Sequence, residues 1–345
     1  MRVLQVMAGA RHGGAELFFE RLVLALSRAG LEQRAVIRTA SDRAARLRAA
    51  GIATKEMRFG GRLDFFTRAA LRREIAEFQP DIALSWMSRA TQKFPPRRSG
   101  QIRPVHCARL GGYYPLKHYR HCDHLIGNTA DIVDYIVAQG CPASRAHYLP
   151  NFVDAETASP LSREIFSTPM GAPLLLAMGR LHQNKGFDVL LAALAQLPGV
   201  YLWLAGEGPE EHALRDQAER LQIMDRVRFL GWRDDGPALM AAADMLVCPS
   251  RIEPLGNVVI EAWAQGKPVA AARARGPAAL IKDGVSGMLA ECEDADGLAH
   301  VIRRILDNPD LAADLAAAGR KSYEQSFTET AVVARYQAFF KKVTG

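Results

Sequence analysis

The sequence predicts an α/β protein with two doubly wound domains that face a central cleft. Short apolar runs alternate with amphipathic stretches along the chain, a rhythm that indicates parallel strands covered by helices on both faces. The rhythm is interrupted once, between Pro150 and Pro173, by a segment rich in proline, serine and threonine. A length of 345 residues also fits two domains of roughly 150 residues each.

The first half of the chain alternates predicted strands with predicted helices. The strands are RVLQVM, QRAVIR, DIALSW, PVHCARL and DHLIGN. The helices are AELFFERLVLALSRAG, DRAARLRAAG, LDFFTRAALRREIAEF and TADIVDYIVAQG. Gly30 ends the first helix, Pro80 stops the third, and Asn128 or Thr129 is the expected cap of the fourth.

The second half repeats this pattern. Its predicted strands are PLLLAMG, VYLWLAG, VRFLG, DMLVCPS and PVAAA, and its helices are GFDVLLAALAQL, EEHALRDQAERLQI, PALMAAA and GNVVIEAWAQG. The chain from Asp296 onward is almost entirely helical. We therefore expect one domain over 1–155, a linker over 156–172, a second domain over 173–325, and a helix over 326–345 that packs back on the first domain. Ligands of such sheets bind at the carboxyl ends of the strands.

Composition and cysteine usage indicate a cytoplasmic protein. The chain is 49% hydrophobic and 23% charged, and it contains no apolar run close to the roughly 18 residues that span a bilayer. The start, MRVLQVM, is interpreted as a buried strand rather than a signal peptide because Gln5 interrupts its short apolar run. The five cysteines are odd in number and form no CxxC pair, which favours free thiols in a reducing compartment.

Charge is distributed unevenly along the chain. Residues 1–150 hold 24 lysines and arginines against 12 acidic residues, whereas residues 151–345 hold 20 against 25. The basic first half predicts an anionic membrane surface or an anionic acceptor as a partner, with the protein peripheral at the inner face of the cytoplasmic membrane. Nucleic acid is not expected, because the arginines are spread among helices and no RNP or zinc-finger pattern is present.

The stretch CPSRIEPLGNVVIEAWAQGKPVAA carries the strongest functional signal. It predicts a strand, a loop and a helix that begins near Gly256, so that free N–H groups of Leu255, Gly256, Asn257 and Val258 form an anion site. Glu253 and Glu261 flank that site, an arrangement that suits hydroxyl groups on both sides of a phosphate, such as a sugar and a ribose. The alternative is a solvated loop charge and an ordinary helix residue.

Three further strand-to-helix turns have phosphate-binding chemistry. Arg180 and Lys185 lie in the loop of MGRLHQNKGFDVLL and offer several donors to a phosphate. Gly206 lies in AGEGPEE, and Gly13 and Gly14 lie in AGARHGGAE after the first strand. None of these turns is a GxGxxG fingerprint, which weakens an oxidoreductase interpretation.

No metal site is expected. His118, His121 and Cys122 lie close together in KHYRHCDH, but no second cluster completes a ligand set. DAD, from Asp294 to Asp296, precedes the helix GLAHVIRRIL, so Asp296 is expected to be an N-cap rather than a metal ligand.

The chain resembles the family 4 retaining glycosyltransferases of GT-B architecture, in particular sugar transferases of bacterial envelope glycans and lipopolysaccharide. The resemblance is carried, in order, by GGAE, YLPNFVD, GRLHQNKGFDVLL, LAGEGPE, VRFLGW, EPLGNVVIEAWAQGKPVAA and GVSGMLAE. It covers nearly the whole chain and is most specific in the second half. In the first half it is limited to GGAE and the strand rhythm.

The resemblance implies a set of site residues. Glu253 would contact the hydroxyls of the donor sugar, and Glu261 the ribose. Arg180 and Lys185 would neutralise the leaving diphosphate. The backbone of Gly13 and Gly14 would touch the donor.

Acceptor-side residues are expected after the strand PVHCARL. His106 is either a site histidine near the sugar or a hydrogen-bonded residue at a strand end. Arg109, Tyr113, Tyr114 and Lys117 are predicted to line an acceptor pocket.

The predicted function is transfer of a hexosyl-type sugar, with retention and without metal or cofactor, from a UDP-, GDP- or ADP-sugar to a glycan or lipid-linked acceptor. No protein nucleophile would be required, because the enzyme acts by electrostatic positioning. Two alternatives remain open. A sugar-nucleotide epimerase of the same fold would need no second substrate, and a non-catalytic module would bind the nucleotide sugar without transferring it.

Overall fold

The computed structural model describes residues 1–10, 13–39, 42–61, 64–96, 103–153 and 158–345. The chain divides into two compact units. Unit 1 comprises Met1–Phe152 and Glu329–Gly345, and unit 2 comprises Val153–Thr328. The boundary predicted at 155/156 and the first residues of the predicted linker lie outside the described residues, while the structure changes unit at Phe152 and again at Thr328.

Unit 1 is built on a parallel sheet with the strand order β3-β2-β1-β4-β5-β6-β7. The strands are β1 (Arg2–Met7), β2 (Glu32–Arg38), β3 (Ala53–Met57), β4 (Ile82–Trp86), β5 (Val105–Leu110), β6 (His124–Gly127) and β7 (Ala146–Tyr148). The helices from its first segment are α1 (Gly14–Arg28), α2 (Arg43–Ala49), α3 (Phe65–Phe78), α4 (Met87–Lys93) and α5 (Ala130–Ala138).

Buried polar side chains in this sheet find partners on neighbouring strands. Gln5, which interrupts the apolar run of β1, is fully buried. Its side-chain amide donates to Gln33 Oε1 over 3.0 Å, and its Oε1 accepts from Trp86 Nε1 over 3.0 Å. A buried amide is tolerated because its hydrogen bonds are satisfied.

Three elements of unit 1 were not predicted. Strand β3, ATKEM, lies at the edge of the sheet and is polar and largely exposed, so it lacks an apolar signal. Helix α4 follows β4 without an intervening turn and starts at Met87, whose φ is 58°. Strand β7 has three residues, too few for a recognisable pattern.

Unit 2 repeats the doubly wound arrangement, with the parallel order β10-β9-β8-β11-β12-β13. Its strands are β8 (Leu174–Met178), β9 (Tyr201–Ala205), β10 (Val227–Gly231), β11 (Met245–Cys248), β12 (Val269–Ala272) and β13 (Met288–Ala290). Its helices are α6 (Phe187–Ala195), α7 (Glu211–Arg220), α8 (Gly236–Ala242), α9 (Asn257–Ala264), α10 (Arg275–Leu280), α11 (Ala295–Leu306) and α12 (Pro309–Ser326). The short elements α10 and β13 were not predicted.

The last helix, α13 (Glu329–Thr344), belongs to unit 1. Its aromatic residues Tyr336, Phe339 and Phe340 are buried in the same apolar cluster as residues of β1 and α1. Glu329 also forms an ion pair of 2.6 Å with Arg28 at the end of α1. The core of unit 1 is therefore completed by a segment that follows unit 2 in the sequence.

None of the helices in the described ranges combines the length and the apolar composition required to cross a membrane.

Candidate active site

The carboxyl edge of the unit 2 sheet holds most of the predicted donor-site residues. Strand β11 ends at Cys248, a loop follows, and α9 begins at Asn257. Gly256 caps this helix in the left-handed region, with φ 86° and ψ 53°, a conformation that favours glycine. The predicted helix start near Gly256 is confirmed.

Glu253 and Lys185 form a direct ion pair at this edge, and Glu253 Oε2 accepts a hydrogen bond from Lys185 Nζ. The two side chains are only 12% and 26% exposed, so the pair is shielded from solvent compared with a surface salt bridge. Glu253 Oε1 also accepts from the N–H of Gly256 over 3.3 Å.

This last contact corrects one prediction. The N–H of Gly256 was expected to be free for a phosphate, but in this structure it is directed at the Glu253 carboxylate. Leu255 is 4% exposed and packs in the core of unit 2, Val258 is half-buried, and Asn257 also has a partner. Of the N–H groups predicted to form the anion site, that of Gly256 is thus taken by the chain's own carboxylate.

Electrostatics keep Lys185 protonated in this position. Burial lowers the pKa of Lys185, but the charge and hydrogen bond of Glu253 outweigh it, and the pKa lies above its ordinary value. The charge of Glu261, in the second turn of α9, raises the pKa of Lys185 further. Lys185, Glu253 and Glu261 therefore form one electrostatic cluster. Burial, with the charge of Glu253, also raises the pKa of the Cys248 thiol to about 11, so this thiol stays neutral.

Arg180 and Lys185 lie in the same loop but in different surroundings. Arg180 is exposed in the loop after β8 and makes no ion pair with any residue of the described ranges. Lys185 ends a short 3-10 turn directly before α6, and Gly186 caps that helix. The loop therefore offers one free and one paired cation at the edge of the sheet.

Arg251 is a site-supporting residue that the sequence interpretation missed. Its guanidinium donates to both carboxylate oxygens of Asp188 over 2.6 and 2.7 Å, and to Glu293 over 2.7 Å. Its backbone N–H donates to Asn184 O over 2.9 Å. Arg251 thus ties the loop after β11 to the loop that carries Lys185. Its position within the stretch CPSRIEPLG is the signal that could have identified it.

Two glycines allow close backbone contact around this edge. A Cβ on Gly206 would lie 1.9 Å from Gly179 O, and the Gly206 N–H donates to Gly231 O over 2.8 Å. A Cβ on Gly276, which was not predicted, would lie 2.5 Å from Glu253 O and 2.6 Å from Leu255 C. Gly206 and Gly276 therefore shape the site by letting neighbouring loops approach.

In unit 1, the loop after β1 leads to Gly13 and Gly14 as predicted. Helix α1 begins at Gly14, with Gly13 as its cap. Glu16, which is 7% exposed, accepts a hydrogen bond from the Ala10 N–H over 2.8 Å and so braces this loop. Arg11 and His12, within the same motif, lie outside the described residues.

His106 is a structural residue, which decides between the two interpretations of it. It occupies the second position of β5, toward the amino edge of the sheet, and is 2% exposed. Its Nε2 is hydrogen-bonded to Ser85 Oγ at 2.8 Å, and its ring stacks on Phe94 at 3.9 Å. Burial lowers the pKa of His106 to about 3, so the ring is neutral. The interpretation as a site histidine is therefore wrong, and that of a hydrogen-bonded residue at a strand end is the one that fits, because the buried ring is already held by Ser85 and Phe94.

Arg109 does not line an acceptor pocket, which corrects another prediction. It is 2% exposed, and its guanidinium lies 4.6 Å from the ring of Phe18 and 4.8 Å from that of Trp86. It donates to Tyr336 Oη over 3.0 Å and to Asn151. Arg109 therefore anchors α13 inside unit 1.

The other predicted acceptor residues are accessible to different degrees. Tyr113 donates its hydroxyl to Asp131, and the carbonyl of Tyr114 accepts from Tyr135 Oη over 3.2 Å. Burial, together with the charge of Glu16, raises the pKa of Tyr114, which places that side chain near the β1 loop. Lys117 is exposed.

Candidate metal ligands do not assemble. The described part of the chain contains no group of three or more histidine, cysteine or acidic side chains arranged to hold a metal ion. Asp294, rather than Asp296, caps α11 by accepting from Gly297 N over 2.8 Å, which corrects the predicted cap. Asp296 instead accepts from Gln196 Nε2 over 2.8 Å.

Comparison with known proteins identifies the family. Residues 159–322 match the family described as glycosyl transferases group 1, and residues 12–157 match glycosyltransferase family 4. The chain is 36% identical over 334 residues to the lipopolysaccharide core biosynthesis glycosyltransferase LpsE of Rhizobium meliloti strain 1021, with 94% of this chain and 95% of that protein covered. The chain belongs to the family 4 glycosyltransferases.

A second relative and a solved structure extend the comparison. LpsD of the same organism, also described as a lipopolysaccharide core biosynthesis glycosyltransferase, is 35% identical over 344 residues and covers 99% of this chain and 98% of its own length. The crystal structure of Anabaena Alr3699/HepE with UDP and glucose superposes with a TM-score of 0.83 at 22% identity, covering 99% of this glycosyltransferase and 100% of that chain. The prediction of two Rossmann-like domains of the GT-B type is confirmed.

Proposed function

We propose that this glycosyltransferase moves a sugar, with retention of configuration, from a nucleoside-diphosphate sugar to a glycan or lipid-linked acceptor of bacterial lipopolysaccharide or related envelope glycans. The observation that carries the proposal is the shielded Lys185–Glu253 pair beside the start of α9, at the carboxyl edge of the unit 2 sheet. The acceptor class is supported by similarity, over nearly the full chain, to two proteins named as lipopolysaccharide core glycosyltransferases.

The cations at this edge have a defined task in the proposed reaction. The diphosphate leaving group gains negative charge as the glycosidic bond breaks, and preorganised donors that meet this charge each contribute about 10²–10³ in rate. Lys185 is protonated and held in place by Glu253, while Arg180 is unpaired and exposed. A bound diphosphate would draw both cations to itself and leave the Glu253 carboxylate to accept from a hydroxyl of the donor sugar.

Retention follows in this proposal from attack on the face that the diphosphate leaves. The acceptor hydroxyl forms the new bond to the anomeric carbon, the bond to the phosphate oxygen breaks, and that oxygen takes the hydroxyl proton. Neither Glu253 nor any other side chain forms a covalent intermediate. The anomeric proton coupling of the product, read by NMR, tests this: an inverted product contradicts the proposal.

The donor base is the first unknown to resolve by experiment. Calorimetry with UDP-, GDP- and ADP-sugars is expected to give one clear binder, and UDP-glucose is the first to test because HepE was crystallised with it. The binder is then incubated with enzyme alone and with candidate acceptors. Conversion of the donor to an epimer without acceptor would contradict transfer and support the epimerase alternative.

We also propose that transfer needs no divalent metal, because Arg180 and Lys185 supply positive charge where the diphosphate would lie. Metal-stripped enzyme in excess EDTA is expected to keep most of its turnover. Activity that vanishes with EDTA and returns only with Mg²⁺ or Mn²⁺ would overturn this part of the proposal.

The basic first half is proposed to hold the enzyme at an anionic membrane surface. Each lysine or arginine close to such a surface contributes about 1 kcal/mol, and the attraction decays within about 8–10 Å at physiological salt. Sedimentation with phosphatidylglycerol vesicles is expected to carry the protein into the pellet at low salt and to release it at high salt. Failure to sediment at low salt favours a soluble acceptor.

A further inference from the structure

Unit 1 contains a cavity of about 320 Å³ that none of the predicted donor residues lines. The lining residues are Arg68, Thr91, Gln92, Phe94, Pro95, Pro96, His106, Lys117, His118, His121 and Cys122. His106 is the second residue of β5, and Cys122 lies two positions before β6, so this part of the lining lies at the amino edge of the sheet. The lining contains no residue of unit 2, whose carboxyl edge holds Lys185 and Glu253.

The charged and titratable lining is entirely basic or neutral. Arg68, Lys117, His118 and His121 line the cavity, and no acidic residue of the described ranges does. None of these four side chains has an ion-pair partner within those ranges. Arg68 donates a single hydrogen bond there, to Gln92 O over 3.0 Å. Elsewhere in unit 1 many cations are paired, as in Arg34–Glu74 and Arg46–Glu20. Two cations without an ion-pair partner, Arg68 and Lys117, beside two histidines on one concavity fit an anionic ligand.

The floor of the cavity is rigid and uncharged. His106 stacks on Phe94 and is hydrogen-bonded to Ser85, which is also within 2.9 Å of Thr91 Oγ1. Tyr119 Oη and Ser88 Oγ, 2.9 Å apart, tie the segment that carries Lys117 and His118 to α4. The cavity is thus preformed, which reduces the entropy lost when a ligand binds.

The walls differ in chemistry. Phe94, Pro95 and Pro96 form an apolar side, and the basic side chains belong to α3 and to the segment 117–121. A free inorganic anion would use only the cationic side. A sugar ring that bears an anionic group would use both, and a cavity of about 300 Å³ or more is of the size that holds small ligands.

We propose that this cavity binds the phosphate monoester of a phosphorylated sugar. Arg68 and Lys117 meet the phosphate oxygens, His118 and His121 donate to them, and the sugar ring lies against Pro95 and Pro96. The sugar belongs to the acceptor glycan, and a lipid headgroup monoester, which offers the same anionic chemistry, is the other source that the vesicle experiment distinguishes. The assignment to the acceptor rests on the function proposed above, but binding itself does not require turnover.

Histidine NMR on the full-length protein tests the site directly. The ring resonances of His118 and His121, assigned with H118Q and H121Q, are followed during titration with glucose 6-phosphate and, as a neutral control, glucose. His182, in the loop that carries Lys185, reports separately on the unit 2 site. Glucose 6-phosphate is expected to shift His118 and His121 saturably, and glucose to shift neither.

Substitutions of the basic lining residues then test which side chains bind the phosphate. R68Q and K117Q are each expected to weaken glucose 6-phosphate binding at least about tenfold, since hydrogen bonds to charged groups are the strong ones. R120Q is the matched control, because Arg120 is an exposed cation of the same segment that does not line the cavity, and it should bind like wild type. Equal affinity of all three variants would overturn the proposal.

Vesicles distinguish the two sources of the phosphate. Phosphatidate vesicles that sediment wild type and R120Q more strongly than K117Q indicate a headgroup monoester. Equal sedimentation of the three proteins, together with glucose 6-phosphate binding that K117Q weakens, indicates a sugar phosphate. If neither probe responds to R68Q or K117Q, the site assignment is wrong. The nucleotide sugar is then added to that same sample. A shift of the His182 ring resonance would show that the donor site, and hence the proposed function, stands independently.

Discussion

The two units share one strand order, to which unit 1 adds a seventh strand, but they build their loops differently. In unit 2, the carboxyl-edge loops are joined backbone to backbone: Gly206 N to Gly231 O at 2.8 Å, and Gly276 N to Glu253 O at 2.8 Å. In unit 1, the loop after β1 is braced by a side chain, with Glu16 accepting from Ala10 N. Backbone contacts demand glycine at fixed positions and so leave a motif in the sequence, whereas a side-chain brace leaves one ordinary glutamate.

The largest effect is expected from the charged pair of unit 2. Glu253→Gln and Lys185→Ala should each reduce transfer by about 10²–10³, or about 3–4 kcal/mol, because each removes part of one preorganised unit. Nucleotide binding should survive Glu253→Gln. Since the two side chains are in contact, the double variant should lose much less than the product of the single losses. Turnover of wild type, the two single variants and the double variant gives this double-mutant cycle.

The half-exposed i,i+4 pair Glu211–Arg215 on α7 is the matched control, since it joins the same charges 2.9 Å apart in the same unit. Its variants should keep wild-type turnover. Strictly multiplicative losses for Glu253 and Lys185 would show that they do not act together.

Adding one methyl group should break a backbone-joined loop. Gly276→Ala places a Cβ within 2.5–2.7 Å of three backbone atoms of the Glu253–Leu255 loop. We expect a loss of about 1–3 kcal/mol in the free energy of unfolding of unit 2, with weaker donor binding. Gly171→Ala, where a Cβ meets nothing within 4 Å, should stay within about 0.5 kcal/mol of wild type. Urea unfolding measures both, and equal stability of the two variants would contradict the close-contact argument.

Glu261 should matter for the nucleotide rather than the sugar. Glu261→Ala is expected to weaken nucleoside-diphosphate binding about tenfold, or about 1.4 kcal/mol, as the loss of a hydrogen bond to a charged group. Calorimetry with the free nucleotide is the measurement. Glu219→Ala, an exposed glutamate of α7, is the control. Unchanged affinity in the Glu261 variant would remove this residue from the ribose site.

Acid should destabilise unit 1 more than unit 2. His106 has its pKa lowered to about 3 from an ordinary value of 6.5, whereas the unit 2 histidines His182, His212 and His300 are exposed. Between pH 6.5 and 3 the unfolded chain binds a proton that folded His106 does not. The contribution of His106 to stability is therefore fully present above pH 6.5 and is lost as pH falls toward 3, by about 1.4 kcal/mol per pH unit.

Hydrogen exchange by mass spectrometry, corrected for intrinsic exchange rates, follows each unit separately across this range. His106→Asn lowers the stability of unit 1 at every pH, so the readout is the pH slope, which should fall by about one proton. An unchanged slope in the variant would assign the acid sensitivity to another group.

The smallest effect is expected for the side-chain brace of unit 1. Glu16→Ala removes the acceptor for Ala10 N and should reduce transfer about fivefold, corresponding to a net hydrogen-bond contribution of about 1 kcal/mol. Glu16→Gln keeps a side-chain oxygen and should restore most of the rate. Steady-state kinetics separates the three enzymes, and a Glu16→Gln loss as large as that of Glu16→Ala would show that charge, not the hydrogen bond, is required.

Local pattern was sufficient for the buried strands and for the turns rich in glycine, which is why β8, β11 and the start of α9 were predicted. Local pattern was insufficient where a residue's burial or secondary structure depends on a partner far away in the sequence. Arg109 is buried because Tyr336, 227 positions away, accepts its hydrogen bond, and β3 is a strand because β2 pairs with it despite its polar sequence. The N–H of Gly256 was expected to be free because sequence alone does not show which way the Glu253 carboxylate turns.

The return of α13 to unit 1 has a consequence for the order of folding during synthesis. Unit 2 is continuous, so all of its residues have been made before the last helix leaves the ribosome. Unit 1 is made first but lacks Tyr336, Phe339 and Phe340 until the end, and until then the Arg109 guanidinium lacks one of its two polar partners in a largely apolar core. The domain that is translated first is therefore the one that is completed last, and a chain cut short after unit 2 carries a built-in defect in unit 1.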